Sequence, residues 1–321
     1  MWVIAERLNQ PDDLLFTDHR LYVGELGAGA IHVLDAGKPP QVLAVRIPKV
    51  EGMVIVNGTL YAAGQAEDRV YAVDGASART VLQLTPVPGQ DGVDGIAATG
   101  GQLLVPDSPR GVLHWVDTGG HITRSVGGFT RPTGVWPLGD GAVLVADEFG
   151  NAVVRVNPDG SKTYLARNLP IADDVAADPQ GAVFAVLPVA TGGRLVQIDN
   201  GSARDVATRL QAPQGVTFDD ASNVVISEED AGRVDLLIRT FKIVPLSSTR
   251  PAAGRSLCID LARGPGFSDA VTLSGDSGLQ IVKQPGTGAQ GEVVLRGCSR
   301  DPCRLTASSG SLTDYIWIAA G

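Results

Sequence analysis

The chain has 321 residues, of which 44% are hydrophobic, 5% are aromatic and 40 are glycine, and its formal net charge is −9 at pH 7. The acidic balance leaves no basic face for phosphate contacts, which argues against nucleic acid as a partner and favours cations as ligands. No apolar run approaches the ~20 residues that a membrane-spanning helix needs, and the length predicts about two domains.

An internal repeat is the strongest pattern in the chain. Six copies, spaced 39 to 43 residues apart, begin at Pro11, Val50, Val93, Pro132, Ala172 and Pro213. A period of this size indicates that each copy is one supersecondary unit and that its neighbours complete its core.

The fourth copy shows the elements of one unit. Apolar runs cover residues 134–138, 142–146, 152–156 and 162–166, and turn residues such as Asn157-Pro158-Asp159-Gly160 separate them. The runs are short and rich in Val, Leu and Ile, so they predict four antiparallel strands. Six four-stranded sheets arranged radially form a six-bladed β-propeller, which leaves only short sheet edges exposed.

The two ends of the repeat region predict how the ring closes. The sixth copy supplies three strands, at residues 216–218, 223–226 and 233–237, and lacks an obvious fourth. Residues 7–12 match residues 209–214, which places residues 2–7 in the outer-strand position that precedes a copy. We therefore expect an all-β, six-bladed propeller over residues 1–239, in which the N-terminal strand completes the last blade.

Residues 240–321 break the repeat and form a second predicted domain. Alternating apolar positions recur, with glycine-rich turns between them, at residues 256–261, 270–273, 292–295 and 315–318. A region of about 80 residues with this pattern predicts a small β-sandwich. The runs at 266–274 and 307–314 resemble the immunoglobulin-like accessory domains at the C-termini of secreted bacterial proteins. That resemblance implies an exported protein and a spacer or docking role for this domain.

All three cysteines, Cys258, Cys298 and Cys303, lie in the second region. The segment from Cys298 to Cys303 contains Pro302 and is a compact loop that a disulfide could close in an oxidising compartment. The alternatives are a bridge from Cys258 to either partner, or three reduced thiols in a cytosolic protein. Three thiols without a nearby His fall short of a structural zinc site. The start at Met1-Trp2 shows no n-region or h-region, so we expect that a signal peptide has been removed or never existed.

Chemistry in this architecture is expected at the central channel, where the first strand of each copy begins. The residues just before the glycine position of the six copies are Asp12, Glu51, Asp94, Thr133, Asp173 and Gln214. Four of these six are carboxylates, and the glycine itself is replaced in copies one and five by Asp13 and Asp174. Second strands return to the same face, and four of them end in Glu25, Asp107, Asp147 and Glu228.

Carboxylates that converge on one axis repel one another, and a proton, water or a cation between them lowers that cost. Calcium takes about 6–8 oxygen ligands, which Asp, Glu, Thr and Gln supply. No Cys or His stands in the ring to favour a softer metal. The pattern thus predicts a divalent cation, calcium first, at Asp12, Glu51, Asp94 and Asp173. The alternative is a water-filled channel in which these acids accept backbone hydrogen bonds.

Other polar residues receive structural interpretations. Asp107, Asp147 and Glu228 are expected to cap the turns between second and third strands. The four histidines fall in third strands or turns, away from the channel, and are expected to be structural or surface residues: His19, His32, His114 and His121. The chain contains no nucleophile elbow, P-loop or dinucleotide fingerprint.

The repeats resemble a known group of proteins. Pro132-Thr133-Gly134-Val135, followed by a turn, by an apolar run that ends in Ala146-Asp147 and by Asn157-Pro158-Asp159-Gly160, is similar to the NHL repeat. Residues 1–239 also resemble the six-bladed, calcium-dependent propellers of the gluconolactonase and senescence-marker-protein family. The resemblance implies a divalent cation held by an acid at one first-strand start, by Asn at others and by the Asp of an Asp-Gly pair.

Matched position by position, that ligand set falls on Glu51 and on Asp94, with Asp173 as a further acidic match. Thr133 and Gln214 stand where the family pattern has an amide or an acid. If the site were catalytic, the metal would polarise a lactone carbonyl and lower the pKa of its bound water. Asp94 or Asp173 would then act as the general base.

Two functions therefore stay open at the level of sequence. The first is a secreted or cell-surface propeller that binds a small molecule, a carbohydrate-derived ligand or an extracellular protein through its acidic face. The second is a metal-dependent hydrolase of sugar lactones or related esters. Fold alone does not decide between them.

Overall fold

The computed structural model describes residues 1–35, 40–43, 46–190, 192–246, 250, 252, 254–296 and 302–319. Within these residues the secondary structure is almost wholly β, with two single-turn 3-10 helices at Gln65–Glu67 and Ser108–Arg110. The strands form antiparallel sheets, as the short apolar runs predict.

Six of the sheets have four strands each and contain every strand between residues 2 and 237 in the described ranges. The N-terminal strand is β1, Trp2–Glu6. The first sheet consists of β2 Pro11–Thr17, β3 Arg20–Glu25, β4 Ala30–Asp35 and β5 Gln41–Leu43. The second consists of β6 Val50–Val56, β7 Thr59–Gly64, β8 Arg69–Asp74 and β9 Ser77–Gln83. The third consists of β10 Ala97–Thr99, β11 Gln102–Asp107, β12 Val112–Val116 and β13 Ile122–Gly127.

The remaining three of these sheets follow the same order. The fourth consists of β14 Pro132–Pro137, β15 Val143–Asp147, β16 Ala152–Val156 and β17 Lys162–Arg167. The fifth consists of β18 Val175–Ala177, β19 Val183–Leu187, β20 Gly193–Asp199 and β21 Ser202–Leu210. The sixth consists of β22 Pro213–Phe218, β23 Val224–Glu228, β24 Arg233–Leu237 and, at its outer edge, β1.

The sixth sheet combines the two ends of the repeat region. Strand β1 pairs antiparallel with β24, so that Trp2 lies opposite Leu236 and Glu6 lies opposite Arg233. The first strands of the sheets contact one another in the order β2, β6, β10, β14, β18 and β22, and β22 also contacts β2.

The hydrophobic core is divided into clusters that lie between consecutive sheets. Leu104 and Trp115 of the third sheet share one cluster with Val143 and Val154 of the fourth. Another cluster joins the sixth sheet to the first and contains Leu21, Val23, Val225, Val234 and Leu236. A single sheet of this kind cannot bury both of its faces alone, so each unit depends on its neighbours.

The first strands approach one another closely around the channel. A Cβ added to Gly134 would lie 2.2 Å from Asp174 Oδ1 and 2.6 Å from Asp174 Cα. A Cβ on Gly52 would lie 2.1 Å from the Ile96 nitrogen, and one on Gly215 would lie 2.7 Å from the Asp12 carbonyl oxygen. These distances are shorter than a real Cβ contact, so the glycine of the repeat is required by close backbone approach.

Residues from 241 onward form two further sheets. One has the strand order β25 Phe241–Pro245, β26 Ser256–Arg263, β29 Gln290–Leu295 and β28 Leu279–Lys283. The other contains β27 Thr272–Gly275, β30 Cys303–Ser309 and β31 Leu312–Ile318. The two sheets share one core, which contains Ile259 and Leu261 from the first sheet and Leu305 and Ile318 from the second.

This region is attached to the sixth sheet by hydrogen bonds. The Asn223 Nδ2 donates to the Phe241 carbonyl at 3.0 Å, and the Thr313 N–H donates to the Asp220 carbonyl at 3.1 Å. The Tyr315 hydroxyl donates to the His19 carbonyl of the first sheet at 2.7 Å.

Candidate functional site

A bulge at the start of the first strand positions the channel residue in four of the six sheets. In the fourth sheet, Pro132 pairs with Asp147 and Val135 pairs with Val145, so Thr133 and Gly134 together lie opposite one partner residue. The same shift occurs in β2, β6 and β22. Bulges of this kind commonly re-aim side chains next to functional sites.

A pocket of about 390 Å³ lies at the channel end where the first strands begin. Its lining is polar except for one leucine. It includes five of the six residues that precede the glycine position, and the sixth, Thr133, is fully buried. The lining residues are Gln10, Asp12, Leu26, Lys49, Glu51, Gln65, Asp91, Asp94, Arg131, Glu148, Asp173, Gln214 and Glu229. The four predicted ligand acids therefore share one pocket, which we call the acidic pocket.

Arg131 links two acids of the acidic pocket. Its Nη2 donates to Asp94 Oδ2 at 3.3 Å and its Nε donates to Glu148 Oε2 at 2.6 Å. Its Nη1 donates to the Asp91 carbonyl at 3.2 Å. The side chains of Arg131, Asp94 and Glu148 are between 11% and 15% exposed, so these ion pairs are largely screened from water.

A second set of contacts holds Asp94 from the other side. The Gln65 Nε2 donates to Asp94 Oδ2 at 3.3 Å, and the Gly95 N–H donates to Asp94 Oδ1 at 3.2 Å. Lys49 in turn donates to Gln65 Oε1 at 3.3 Å and to Asp91 Oδ1 at 2.8 Å. Burial raises the pKa of Asp94, and the charge of Arg131 opposes that shift.

The other three predicted ligand acids, Asp12, Glu51 and Asp173, have no ion pair comparable to that of Asp94 with Arg131. Among the described residues, no Lys, Arg or His nitrogen lies within ion-pair distance of Asp12, Glu51 or Asp173. Burial raises the pKa of Asp12 to about 8, and a hydrogen bond between its carboxyl group and that of Glu51 lowers it in part. Burial and the charges of Asp12 and Asp94 hold the pKa of Glu51 well above its usual range. The pKa of Asp173 is also held well above its usual range, by burial and by Asp94.

The two uncharged channel residues make structural hydrogen bonds. The Thr133 hydroxyl donates to the Asp173 carbonyl at 2.6 Å. This bond joins the start of β14, the first strand of the fourth sheet, to the fifth copy of the repeat. The Gln214 Nε2 donates to Glu229 Oε2 at 2.6 Å. The Gln10 Nε2 donates to the other oxygen of Glu229 at 2.7 Å, so this acid is shared by two amides.

Asp13 and Asp174 lie in a different place from their sequence neighbours. Both line a cavity further along the first strands, at the opposite end of the channel. Burial raises the pKa of Asp174 to about 7, although two backbone N–H groups stabilise its charged form. Burial, followed by the charge of Asp174, holds the pKa of Asp13 well above its usual range.

The acids that end the second strands bind backbone donors that precede the first strands. Asp147 Oδ1 accepts the N–H of Thr130 at 2.9 Å and that of Arg131 at 2.8 Å. In the same way, Glu25 Oε1 accepts the Asn9 N–H at 2.7 Å, and Glu228 accepts the Gln211 N–H at 2.5 Å. In these three copies the bonds fix the segment that precedes the first strand, and Glu228 also accepts from Arg233 at the start of the third strand at 2.7 Å.

Asp107 and the four histidines make their contacts outside the acidic pocket. Asp107 accepts from Arg110 Nη1 at 3.2 Å. His32 Nε2 lies 2.8 Å from Glu25 Oε2, and His114 Nδ1 lies 2.8 Å from Ser125 Oγ. His19 contacts Asp220, and His121 lies beside Asp117 at 3.0 Å. None of these histidines lines the acidic pocket.

The cysteine pairing stays a prediction, because Cys298 lies outside the described residues. Cys303 is fully buried on β30. Cys258 is exposed on β26 and has a free thiol.

Several pocket residues are not predicted from the repeat, although the alignment contains a signal for them. Gln10, Lys49 and Arg131 each immediately precede the residue that begins a copy. Gln65 and Glu148 each immediately follow the last residue of a second strand. Two further positions of the repeat therefore line the pocket beside the predicted acids. One is the residue before a copy begins, and the other is the residue after the second strand ends.

The acidic pocket supplies the right donor chemistry for a hard cation, because its acids offer only oxygen. Its side chains are not arranged as a complete ligand set. In the described part of the chain, no group of three or more His, Cys, Asp or Glu residues is placed so that it could hold a metal ion. Arg131 also supplies a positive charge next to Asp94.

Comparison with known proteins finds similarity at the level of structure. No protein-family model matches the chain, and no curated protein matches it either. A putative gluconolactonase is 12% identical with a TM-score of 0.60, covering 73% of this chain and 91% of its own. The calcium-binding protein regucalcin from Agrobacterium tumefaciens is 15% identical with a TM-score of 0.57, covering 73% of this chain and 92% of its own. A streptogramin B lyase is 16% identical with a TM-score of 0.54, covering 70% of this chain and 78% of its own.

In the described residues, no helix is long and apolar enough to cross a membrane. The identities are too low to transfer an activity, and what they establish is the fold. The chain therefore has a β-propeller fold similar to that of gluconolactonase-like proteins, regucalcin and the streptogramin B lyases, as its repeats predict.

Proposed function

We propose that residues 1–239 form a six-bladed β-propeller closed by β1, and that its acidic pocket binds a divalent cation, with calcium the first candidate. The six four-stranded sheets within residues 2–237, the contact of β22 with β2 and the core cluster between the sixth and first sheets support the closed ring. Closure brings acids from distant copies to one channel end.

The observation that carries the cation proposal is the group Asp12, Glu51 and Asp173. Asp12 and Glu51 are buried and Asp173 is half-buried at one end of the channel, and none of the three has a basic partner within ion-pair distance among the described residues. A buried carboxylate without a partner is costly, and the protein must neutralise it with a proton or with a cation. The fold is shared with regucalcin, a calcium-binding protein, which adds support.

Asp94 has a different role in this proposal from that of the other three acids. Its contacts with Arg131 and Gln65 occupy Oδ2, and the Gly95 N–H occupies Oδ1. Asp12, Glu51 and Asp173 are then the principal donors, and Asp94 stays close enough to add negative charge. Because the side chains are not preorganised, the affinity is expected to be modest, in the range of extracellular calcium modules, about 10⁻⁴ to 10⁻³ M.

Calorimetric titration of calcium into the full chain tests this function. We expect one site per chain and at least about tenfold weaker binding for Glu51→Gln, which keeps the shape and removes the charge. Asp205→Asn, which changes an exposed acid of β21, should bind as the unaltered protein does. The absence of binding, or equal binding by Glu51→Gln, would refute the proposed site.

Hydrolysis of a sugar lactone or related ester is the second candidate function. Arg131 favours it, because its contacts use three of its five N–H groups and leave donors that could stabilise an oxyanion. Asp94 is the acid whose charged form Arg131 supports, so it is the better general base. Asp173, with its raised pKa, is suited instead to donate a proton to the leaving oxygen.

A panel of sugar lactones and simple esters tests this candidate. Asp94→Ala should lower turnover by at least about 10²-fold, the usual contribution of a general base. Asp205→Asn should leave it unchanged. If neither calcium nor any other divalent metal yields turnover by the unaltered protein, the hydrolase is excluded and the binding function stands alone.

We further propose that residues 240–321 form an immunoglobulin-like β-sandwich that serves as a spacer or docking module of a secreted or cell-surface protein. Its two sheets around a common core support the sandwich. Mass spectrometry of the non-reduced protein tests the secreted or cell-surface location, because it detects a disulfide, which forms in an oxidising compartment. A bridge between Cys298 and Cys303 is expected, and three reduced thiols after purification under oxidising conditions would contradict it.

A further inference from the structure

A second cavity, of about 220 Å³, opens at the channel end opposite the acidic pocket. Its walls are mainly apolar and come from five of the six first strands. The sixth, β18, begins directly after Asp174, which also lines the cavity. They include Leu14, Met53, Ile96, Val135, Trp136 and Val216. The glycines of the repeat lie between the two ends, where a Cβ on Gly134 or Gly52 would collide with the neighbouring strand. The two cavities have no lining residue in common and are separate sites.

Two acids stand in this mainly apolar cavity, and they differ in their hydrogen bonding. Asp174 Oδ1 accepts the Val175 N–H at 2.8 Å, and its Oδ2 accepts the Val216 N–H at 2.8 Å. The Asp13 side chain accepts no hydrogen bond from any donor in the described ranges. Its Oδ2 lies 3.0 Å from the place that a Cβ on Gly95 would take, so it reaches across the channel.

A carboxyl group among apolar walls is costly unless a donor or a positive charge meets it. Asp13 and Asp174 line the same cavity, so their like charges repel each other unless a positive charge lies between them. An ammonium group supplies a positive charge and three N–H donors in a small volume. The surrounding leucine, isoleucine, valine and tryptophan side chains require an apolar body on the same molecule.

We propose that this cavity binds a small primary amine with an apolar body. The ammonium group lies against Asp13 and Asp174, and the hydrocarbon part packs on Met53, Val135 and Trp136. The volume is below the roughly 300–1,000 Å³ of pockets for drug-sized ligands, so the ligand has about one ring and a short chain. This site does not depend on cation binding or catalysis at the acidic pocket.

Calorimetry with 2-phenylethylamine and 2-phenylethanol tests the proposal on the full chain. The two probes share ring and chain and differ in the charged group. We expect the amine to bind at least about tenfold more tightly than the alcohol. Asp13→Asn should weaken amine binding at least about tenfold and leave alcohol binding unchanged.

A second measurement on the unaltered protein avoids dependence on the folding of Asp13→Asn. The indole N–H resonance of Trp136, assigned with Trp136→Phe, should shift on addition of the amine because Trp136 lines the cavity. The proposal is overturned if neither probe binds, if amine and alcohol bind equally, or if the Trp136 signal stays unmoved at saturation. It is also overturned if Asp12→Asn, rather than Asp13→Asn, abolishes amine binding, since the amine then occupies the acidic pocket.

Discussion

The guanidinium of Arg131 bridges Asp94 and Glu148, with Nη2 3.3 Å from Asp94 Oδ2 and Nε 2.6 Å from Glu148 Oε2. Asp94 comes from the third copy of the repeat, Arg131 immediately precedes the fourth copy, and Glu148 belongs to it. The bridge therefore joins two neighbouring units at the channel end and neutralises part of a strongly acidic pocket.

Removal of the positive charge of Arg131 should destabilise the folded protein. Arg131→Gln leaves Asp94 and Glu148 largely buried without a cation, and it should lower the free energy of unfolding by about 3 kcal/mol. Urea unfolding measures the change. Arg194→Gln breaks an ion pair with Asp205 in which the two side chains are 33% and 46% exposed, and it should cost less than about 1 kcal/mol. Equal losses from the two variants would contradict the role given to the buried bridge.

The close approach of the first strands predicts different effects for two glycines of one copy. Gly134→Ala places a Cβ 2.6 Å from Asp174 Cα and should lower the free energy of unfolding by about 3 kcal/mol or prevent folding. Gly139→Ala meets no atom within 4 Å and should be neutral within about 1 kcal/mol. Thermal and urea unfolding compare the two, and a tolerated Gly134→Ala would mean that the strands are further apart.

Stability should fall as the pH rises from mildly acidic to mildly alkaline. Burial raises the pKa of Asp12 from 3.8 to about 8 and that of Asp174 to about 7, so the folded protein holds protons that the unfolded chain releases. The stabilisation is fully present below the unfolded pKa and is lost as the pH rises towards and through the folded pKa. Each group contributes up to about 1.4 kcal/mol per pH unit within that window.

Urea unfolding between about pH 5 and pH 8 measures this slope in the absence of divalent cations. Asp12→Asn cannot exchange a proton and should flatten the slope, whereas Asp205→Asn on the surface should preserve it. A free energy of unfolding that is constant or increases over this interval would show that the carboxyl groups are ionised in the folded protein.

The pairing of the N-terminal strand with β24 makes residues 1–6 important for the stability of the sixth sheet. Their deletion removes the pairing of β1 with β24 and uncovers part of the cluster that contains Val234 and Leu236. We expect the melting temperature to fall by on the order of 5 °C or more. Scanning calorimetry measures the shift, and an unchanged melting temperature would show that β1 contributes little to the sixth sheet.

The strands of the repeat are predictable from the sequence because each depends on a local pattern. The runs of copy four correspond to β14, β15, β16 and β17, with small shifts at their ends. A match between two short segments places residues 2–7 beside the sixth copy, and β1 pairs with β24 there. Hydrophobic alternation, turn residues and the repeat itself are sufficient for both inferences.

Side-chain placement around the channel is less predictable. Asp12 and Asp13 are adjacent in sequence, yet one lines the acidic pocket and the other lines the opposite cavity. Both residues lie in the bulge that begins β2, where Pro11 pairs with Glu25 and Leu14 pairs with Val23, and the repeat alignment does not reveal a bulge. The role of Arg131 is not predicted for a related reason. Its side chain binds Asp94 of the neighbouring copy, whereas the apolar pattern describes only the strands within one copy.

A crystal structure of the full chain grown with calcium tests the central claim most directly. We predict one calcium ion at the channel end, with oxygen atoms of Asp12, Glu51 and Asp173 among its ligands at about 2.3–2.6 Å. A pocket that holds only water at saturating calcium, or calcium bound elsewhere on the chain, would contradict the account.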